Sequence, residues 1–140
     1  MTPEQVKQQL GQYRKIRDEC ERLRRRMEEK KKDMMHLQAV VADGMTRSSN
    51  VSDSVERAIE QIDALIGYYA QRVVLRESAE REVLKMIESV DEPDGRSILF
   101  LRYVEGRRFE EIESELNISE NTRKRRYKEA IEKLALFGPL

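Results

Sequence analysis

The sequence predicts an all-α protein in which two long helices form an antiparallel hairpin, as a coiled coil, and three shorter helices form a compact C-terminal module. Of the 140 residues, 39% are hydrophobic and 39% are charged, whereas globular chains average about 45–50% apolar and about 25% charged residues. Only 3 prolines and 6 glycines interrupt the chain. This composition favours helices that each bury one stripe over a single thick core.

The first long helix is predicted over residues 3–42, because Pro3 suits a first helical turn and no other proline precedes Pro93. Apolar or semi-polar residues recur there at every seventh position. Three more apolar residues lie three positions after members of this series. The regular series is Val6, Tyr13, Cys20, Met27, Met34 and Val41, and the offset residues are Ile16, Leu23 and Leu37. This heptad spacing is typical of the stripe that a coiled-coil helix presents to its partner.

The second long helix is predicted over about residues 53–90, after a polar loop at residues 43–50. Small polar residues and a glycine in that loop are stop signals for the first helix. Ser52 or Asp53 is the expected N-cap of the second helix. Residues 91–95, which include a proline and a glycine, are expected to end it.

The apolar residues of the second helix follow a four-three pattern with a weak point at Arg76 and Glu80. They are Val55, Ile59, Ile62, Ile66, Tyr69, Val73, Val83, Ile87 and Val90. A bend or a change of packing partner is predicted at the weak point.

The distribution of charge favours pairing of the two long helices. The net charge is zero overall, but residues 1–50 carry +4, residues 51–92 carry −5 and residues 93–140 carry +1. Similar helix lengths and a short connection favour an antiparallel hairpin over residues 1–92. A parallel homodimeric coiled coil is the alternative, and a homodimer formed through the coiled coil is the expected oligomer.

The C-terminal module over residues 93–140 has the pattern of a helix-turn-helix. A dense apolar cluster at residues 96–104 is followed by a short amphipathic helix, Phe109–Leu116. Asn117 begins a tight turn, since asparagine tolerates the left-handed conformation, and Ser119 is a suitable N-cap for a helix that runs to about residue 134. A short helix, a three-residue turn and a longer basic helix are the parts of this DNA-binding motif.

The residues of this module resemble region 4 of sigma-70-type factors over residues 94–137. The matching segments are residues 98–106, 109–112, 116–119, Thr122 and residues 130–134. The layout of the whole chain is similar to small phage and prophage transcriptional regulators of the ArpU/RinA type. The resemblance implies a module that binds the −35 promoter element and contacts RNA polymerase.

The resemblance also implies which residues contact DNA. Those at the start of the last helix are Ser119, Glu120, Asn121, Thr122, Lys124, Arg125 and Lys128. Arg107 and Arg108 precede the short helix and suit phosphate groups. The chain departs from the family pattern at Glu113, Arg123 and Arg126, where small or apolar residues are usual. Because Glu113 and Arg123 occupy positions that pack between the two helices, we expect them to form a salt bridge.

Several other functions are disfavoured by the composition. The only histidine, His36, and the only cysteine, Cys20, are expected to be ordinary helix residues. No metal-ligand spacing, glycine-rich phosphate loop or catalytic constellation is present, so we expect no enzyme, no metal and no cofactor. No apolar run approaches the roughly 20 residues of a membrane span and no signal peptide is apparent, so a cytoplasmic protein without membrane contact is expected.

These features predict a sequence-specific transcriptional regulator that binds double-stranded DNA, of phage or prophage origin, with RNA polymerase as a candidate partner. A complete sigma factor is disfavoured by the absence of tryptophan and an aromatic content of 6%. One alternative is a phage DNA-packaging adaptor of the terminase small-subunit type. Another is a protein-interaction module that binds RNA polymerase without DNA. The basic run over residues 22–32 is interpreted as a solvated face paired with acids of the second helix, and a second nucleic-acid contact is its alternative.

Overall fold

A computed structural model describes residues 1–42 and 49–137. These residues form five helices and no strand: α1 (Pro3–Ala42), α2 (Ser49–Glu88), α3 (Pro93–Tyr103), α4 (Phe109–Leu116) and α5 (Glu120–Phe137). The predicted all-α class is therefore confirmed. No described helix is both long enough and apolar enough to span a membrane.

Two boundaries differ from the sequence-based expectation. The helix α2 begins at Ser49, so Ser52 and Asp53 lie inside it and neither is its N-cap. Most of the predicted loop, residues 43–48, lies outside the described residues. At the other end, α2 stops at Glu88. Residues 91–95, which were predicted to end α2, contain the start of α3 at Pro93.

The start of α3 explains the second difference. The carboxylate of Glu92 accepts a hydrogen bond from the Gly95 amide at 2.5 Å, and Pro93 occupies the first turn. A carboxylate N-cap followed by proline satisfies the free amides of a helix start and presets its backbone. Gly95 also faces α5, where an added Cβ would lie 3.3 Å from the Cβ of Ala130.

The chain divides into two compact units, and each contains part of both long helices. One unit comprises residues 1–17 and 76–140, and the other comprises residues 18–75. On α2 the division falls at Arg76, where the sequence predicted a weak point in the apolar stripe. Each unit therefore has its own helix contacts, which are described separately below.

In the unit of residues 18–75, side chains cross between α1 and α2 in antiparallel order. Glu19 accepts hydrogen bonds from Tyr68 Oη at 3.0 Å and from Arg72 Nη2 at 2.8 Å. Further along α1, Lys30 Nζ donates to Gln61 Oε1 at 3.3 Å. Because the partner's number falls as the position on α1 rises, the two helices form the predicted antiparallel hairpin within one chain.

The apolar stripe of α2 follows the predicted residues except at two positions. Ile59 and Ile66, which were expected to face the partner helix, are 41% and 42% exposed. Half-buried Ala58 and Leu65 lie on the packed side instead, together with buried Ile62. The other seven residues of the predicted pattern are buried or half-buried. The prediction is therefore wrong only at Ile59 and Ile66, where the preceding residue packs instead.

In the other unit, the two ends of the hairpin pack with the C-terminal helices in one core. Its buried residues are Val6, Leu10 and Tyr13 of α1, Val83, Met86 and Ile87 of α2, Val90, Leu99 of α3, and Ala130, Ile131 and Leu134 of α5. A second cluster, built on Ile98, Leu101 and Ile112, holds α3 against α4. Of the two helices of the helix-turn-helix, α4 packs in the second cluster and α5 packs in the first core.

Candidate nucleic-acid interface

The turn between α4 and α5 has the capped geometry of a helix-turn-helix. Asn117 ends α4 in the left-handed conformation, with φ 54° and ψ 49°, and the Ile118 amide donates to the Glu113 carbonyl at 3.0 Å. Ser119 Oγ then accepts from the Thr122 amide at 3.1 Å, so it caps α5. Both roles were predicted, and together they fix the direction in which α5 leaves the turn.

A salt bridge joins the two helices behind this turn. Arg123 Nε donates to Glu113 Oε1 at 3.0 Å, and the side chains are only 10% and 18% exposed. This confirms the predicted pairing of the two residues that depart from the family pattern. The Arg123 guanidinium also lies 4.1 Å from the centre of the Phe109 ring, which adds a cation–π contact to the ion pair.

The third departure, Arg126, packs toward the start of α3. Its Nη1 lies 3.9 Å from Glu92 Oε1 and 3.8 Å from Glu129 Oε2. The position is half-buried, so the arginine stem takes the place of the usual apolar side chain while its charge reaches the Glu92 cap. Sequence reasoning missed this contact, because it treated Glu92 as part of a helix end.

The exposed face of α5 brings together most of the residues expected to contact DNA. Five of them are exposed at the start of the helix: Glu120, Asn121, Lys124, Arg125 and Lys128. Lys124 Nζ lies 3.1 Å from Glu120 Oε1, and Lys128 Nζ lies 4.0 Å from Glu132 Oε1. No ion pair of Arg125 occurs within residues 1–42 and 49–137, so its charge is available to a ligand.

Ser119 and Thr122 form the cap of α5. The Ser119 hydroxyl donates to Thr122 Oγ1 at 2.9 Å, in addition to accepting from the Thr122 amide. Thr122 is half-buried, while Ser119 is exposed. Their first role in this structure is therefore to hold the start of α5.

Arg107 and Arg108 lie before α4 and form ion pairs with glutamates close to them in the sequence. Arg107 lies 3.6 Å from Glu105 Oε2 and 3.4 Å from Glu115 Oε1. Arg108 donates to Glu111 Oε1 through both its amide, at 3.2 Å, and its Nε, at 3.1 Å. Nothing in the described part of the chain joins either arginine to the exposed face of α5.

Local hydrogen bonds lower the pKa of two carboxylates of the site. The amide and side chain of Arg108 lower the pKa of Glu111 below its ordinary value, and the Lys124 ammonium does the same for the pKa of Glu120. Hydrogen bonds to the charged form of a carboxylate favour that form. Glu120 therefore stays a negatively charged acceptor at the start of α5 down to a lower pH than an ordinary glutamate.

The helix α1 also fixes the connection between α3 and α4, which the sequence did not indicate. Arg14 Nη1 donates to the Arg102 carbonyl at 3.5 Å, and Arg17 Nη1 donates to the Val104 carbonyl at 3.1 Å. Cations suit the carbonyl end of a helix. Gly106 follows with a φ of 75°, and the Arg14 side chain lies directly over it.

A second missed contact joins α3 to α5 through two tyrosines. The hydroxyls of Tyr103 and Tyr127 lie 2.5 Å apart, and burial, together with this bond, raises the pKa of Tyr103. The Tyr127 ring also meets Phe109 edge-on, at 5.3 Å between ring centres.

No group of histidine, cysteine or acidic residues suited to a metal occurs in the described segments.

Comparison with known proteins supports the assignment of α4 and α5 as a helix-turn-helix. Residues 80–134 match the family model described as sigma-70, region 4. The match starts within α2, before the segment of residues 94–137 on which the sequence resemblance was based. The last turns of α2 contribute Val83, Met86 and Ile87 to the same core as α3 and α5. No curated protein and no solved structure shows a significant match. The part of the chain from the end of α2 to α5 is therefore a helix-turn-helix similar to sigma-70 region 4.

Proposed function

We propose that the protein is a sequence-specific DNA-binding transcriptional regulator of phage or prophage type, with α5 as its recognition helix. The observation that carries the proposal is the exposed face formed by Asn121, Lys124, Arg125 and Lys128, which follows a capped turn. The similarity to sigma-70 region 4 supports the same reading. A recognition helix placed in the major groove contacts bases with its N-terminal residues.

Each exposed side chain suits a particular contact. Arginine and lysine bind the O6 and N7 acceptors of guanine, asparagine binds adenine, and a carboxylate accepts from the cytosine amino group. Arg125 and Lys124 are thus assigned to guanine or phosphate, Asn121 to adenine and Glu120 to cytosine. Ser119 and Thr122 at the helix start, and Arg107 and Arg108 before α4, are assigned to phosphates, which position the protein without reading sequence.

The assignment is tested by selecting bound fragments from random duplex DNA and measuring affinity for the enriched motif. The double substitution Lys124→Ala and Arg125→Ala is expected to weaken binding at least about tenfold, since each base-contacting residue contributes ~1–3 kcal/mol. Its matched control is Arg57→Ala with Arg81→Ala, which removes the same charge from exposed positions of α2. Equal losses in the two double variants, or no enriched motif, would refute the assignment.

RNA polymerase is a second candidate partner, favoured by an apolar groove beside α4. The groove is lined by Ile87, Arg96, Ser97, Phe100, Leu101, Glu115 and Leu116. Phe100 is 38% exposed there, although a large aromatic side chain is favourable to bury. Binding to RNA polymerase without any binding to DNA would favour the protein-interaction module over the regulator.

The exposed side of α2 favours a homodimer formed through the helix pair. Ile59, Ile66 and Val74 are 41%, 42% and 65% exposed, and a second copy of the chain is the proposed cover for them. A ring larger than a dimer would instead favour the packaging adaptor of the terminase small-subunit type.

Substituting Ile59→Ser and Ile66→Ser is expected to convert the dimer to a monomer, because both side chains are exposed in the single chain and the second copy would cover them. Sedimentation velocity of the full chain measures the change, and circular dichroism checks that helix content is retained. The control, Leu136→Ser with Phe137→Ser, removes two side chains that are 77% and 80% exposed at the end of α5 and should leave the dimer intact. A wild-type monomer at high concentration would overturn the proposed dimer.

A further inference from the structure

Tyr127 connects α5 to three other helices of its unit. Its hydroxyl shares a hydrogen bond with the Tyr103 hydroxyl of α3, and its ring meets Phe109 of α4 edge-on. The Nζ of Lys7 in α1 lies 5.9 Å from the centre of the same ring. Of the described hydrophobic side chains, that of Tyr127 alone packs against both core clusters. The placement of α5 among its neighbours therefore depends on this residue.

Helix geometry gives the direction of each side chain in the second turn of α5. Arg123 is buried, Lys124 and Arg125 are exposed, and Arg126 and Tyr127 are half-buried. Because successive residues of a helix point about 100° apart, Arg126 and Tyr127 lie on opposite sides of Arg123. A contact on each of these two sides opposes rotation of α5 about its own axis.

The contacts on the two sides of Arg123 differ in length. On one side, Arg126 Nη1 lies 3.9 Å from Glu92 Oε1, which is too long for a hydrogen bond. On the other side, the hydroxyl oxygens of Tyr103 and Tyr127 lie 2.5 Å apart. In the described part of the chain, the tyrosine pair is therefore the closest polar contact that joins α5 to α3 or to its N-cap.

A small rotation of α5 would displace the side chains that are assigned to bases. Their ends lie roughly 5–6 Å from the helix axis, so a rotation of about 10° moves them by about 1 Å. Hydrogen bonds weaken steeply when their geometry is poor, and a binding constellation must be held within about 0.5 Å. Contacts to phosphates carry no sequence information, and long lysine and arginine side chains can follow such a shift. A rotated α5 should therefore lose sequence preference while it keeps its general affinity for DNA.

We propose that Tyr127 is a positioning residue, which fixes the rotation of α5 through its bond to Tyr103 and thereby sets the base preference of the protein. This inference rests on the proposed recognition helix. It adds a residue that acts on the exposed side chains of α5 without touching DNA itself. It also separates two kinds of DNA binding, since binding to the selected motif depends on the tyrosine pair and binding to random DNA does not.

The test compares the affinity of full-length variants for the selected motif with their affinity for random duplex DNA. Tyr127→Phe removes the hydroxyl and keeps the ring. The ratio of the two affinities is expected to fall by about five- to tenfold, which is the size of one weakened base contact. The affinity for random DNA and its dependence on salt should stay as in the wild type. Tyr103→Phe should give the same fall, because it breaks the same bond from the other side.

Tyr13→Phe is the matched control for loss of a tyrosine hydroxyl. Tyr13 is a buried residue of α1 in the same core, and its hydroxyl has no hydrogen-bond partner among residues 1–42 and 49–137. This variant should keep the wild-type ratio of affinities. A fall as large as that of Tyr127→Phe would show that the core in general, and not the tyrosine pair, sets the base preference.

The double variant separates positioning from the cost of an unpaired hydroxyl. Each single substitution leaves one half-buried hydroxyl without its partner, which is unfavourable in itself, whereas Tyr103→Phe with Tyr127→Phe leaves none. If the bond positions α5, the double variant should keep the lowered ratio. Recovery of the wild-type ratio would overturn the proposal, because the single effects would then come from the unpaired hydroxyl.

The remaining outcomes separate this inference from the proposed function. An unchanged ratio in Tyr127→Phe, or equal losses of affinity for the motif and for random DNA, would overturn the positioning role while leaving the recognition helix in place. Absence of a selected motif for the wild-type protein would refute both. Thermal unfolding of each variant shows whether it is folded at the temperature of the binding measurement. If the double variant does not fold, Tyr103→Phe decides, since it leaves α5 itself unaltered.

Discussion

Replacing Arg123 by alanine is expected to lower the stability of the helix-turn-helix by about 3–5 kcal/mol, the usual loss when one partner of a buried ion pair is removed. Glu113 would keep its charge at 18% side-chain exposure without the Arg123 guanidinium 3.0 Å away. The Phe109 ring would also lose one of its two guanidinium contacts, since Arg102 remains 4.2 Å from its centre. Thermal unfolding of the full chain, followed by circular dichroism, should show a fall in Tm of roughly 10 °C or more.

A double-mutant cycle separates the ion pair from simple loss of packing. Glu113→Ala with Arg123→Ala should be less destabilising than the sum of the two single changes, because no unpaired charge remains. Replacing both members of the pair, through Glu113→Leu and Arg123→Met, should restore or raise stability, since apolar residues of similar volume often match a buried ion pair. Additive single effects would show that the ion pair contributes nothing of its own.

This ion pair matters for the interface because it lies beneath the exposed residues of α5. Arg123 is the neighbour of Lys124, and its side chain is turned toward α4 while Lys124 and Arg125 are exposed. A basic run of four residues must distribute its charges around the helix, and the first is used here to hold α5 against α4. Variants at Arg123 should therefore lose DNA affinity in proportion to the unfolded fraction, whereas variants at Lys124 and Arg125 should lose it while folded.

The sequence predicted those features that depend on neighbours along the chain. The positions of α4, the Asn117 turn and the Ser119 cap follow from residues within a few positions of one another, and all were predicted. The Glu113–Arg123 pair was also predictable, because two charged residues stood at positions where helices of this motif touch. Local signals are reliable where one residue type has a single strong structural preference.

The features that were missed depend on contacts distant in sequence. Arg14 and Arg17 bind carbonyl groups more than eighty residues away, and no spacing rule pairs an arginine with a backbone oxygen. The two wrong positions in the α2 stripe have a similar origin, since Ala58 is half-buried whereas Ile59 is exposed. The partner helix determines which side of a long amphipathic helix is covered. Hydrophobicity alone therefore predicted Ile59 as the packed residue instead of its neighbour Ala58.

Gly106 is the position where a single methyl group is expected to disturb the attachment of α1 to the helix-turn-helix. Its φ of 75° lies in the left-handed region, which costs a residue with a Cβ roughly 1–2 kcal/mol. The added Cβ would also lie 2.7 Å from Nη2 and 2.8 Å from Cζ of Arg14, so the guanidinium must move away from the Arg102 carbonyl that it binds. Gly106→Ala should therefore destabilise the protein by ~2–3 kcal/mol, including about 1 kcal/mol for the lost hydrogen bonding.

Gly67→Ala provides the matched control, because Gly67 lies within α2 and an added Cβ there would meet no atom within 4 Å. That change should stabilise the protein by roughly 0.5–1 kcal/mol, since alanine loses less conformational freedom in a helix than glycine. Urea unfolding of both variants measures the two free energies of unfolding. Combining Gly106→Ala with Arg14→Ala should recover part of the loss, because the side chain that opposes the Cβ is then absent. If Arg14→Ala gives no recovery, the cost at Gly106 lies in the backbone conformation alone and Arg14 does not hold this connection.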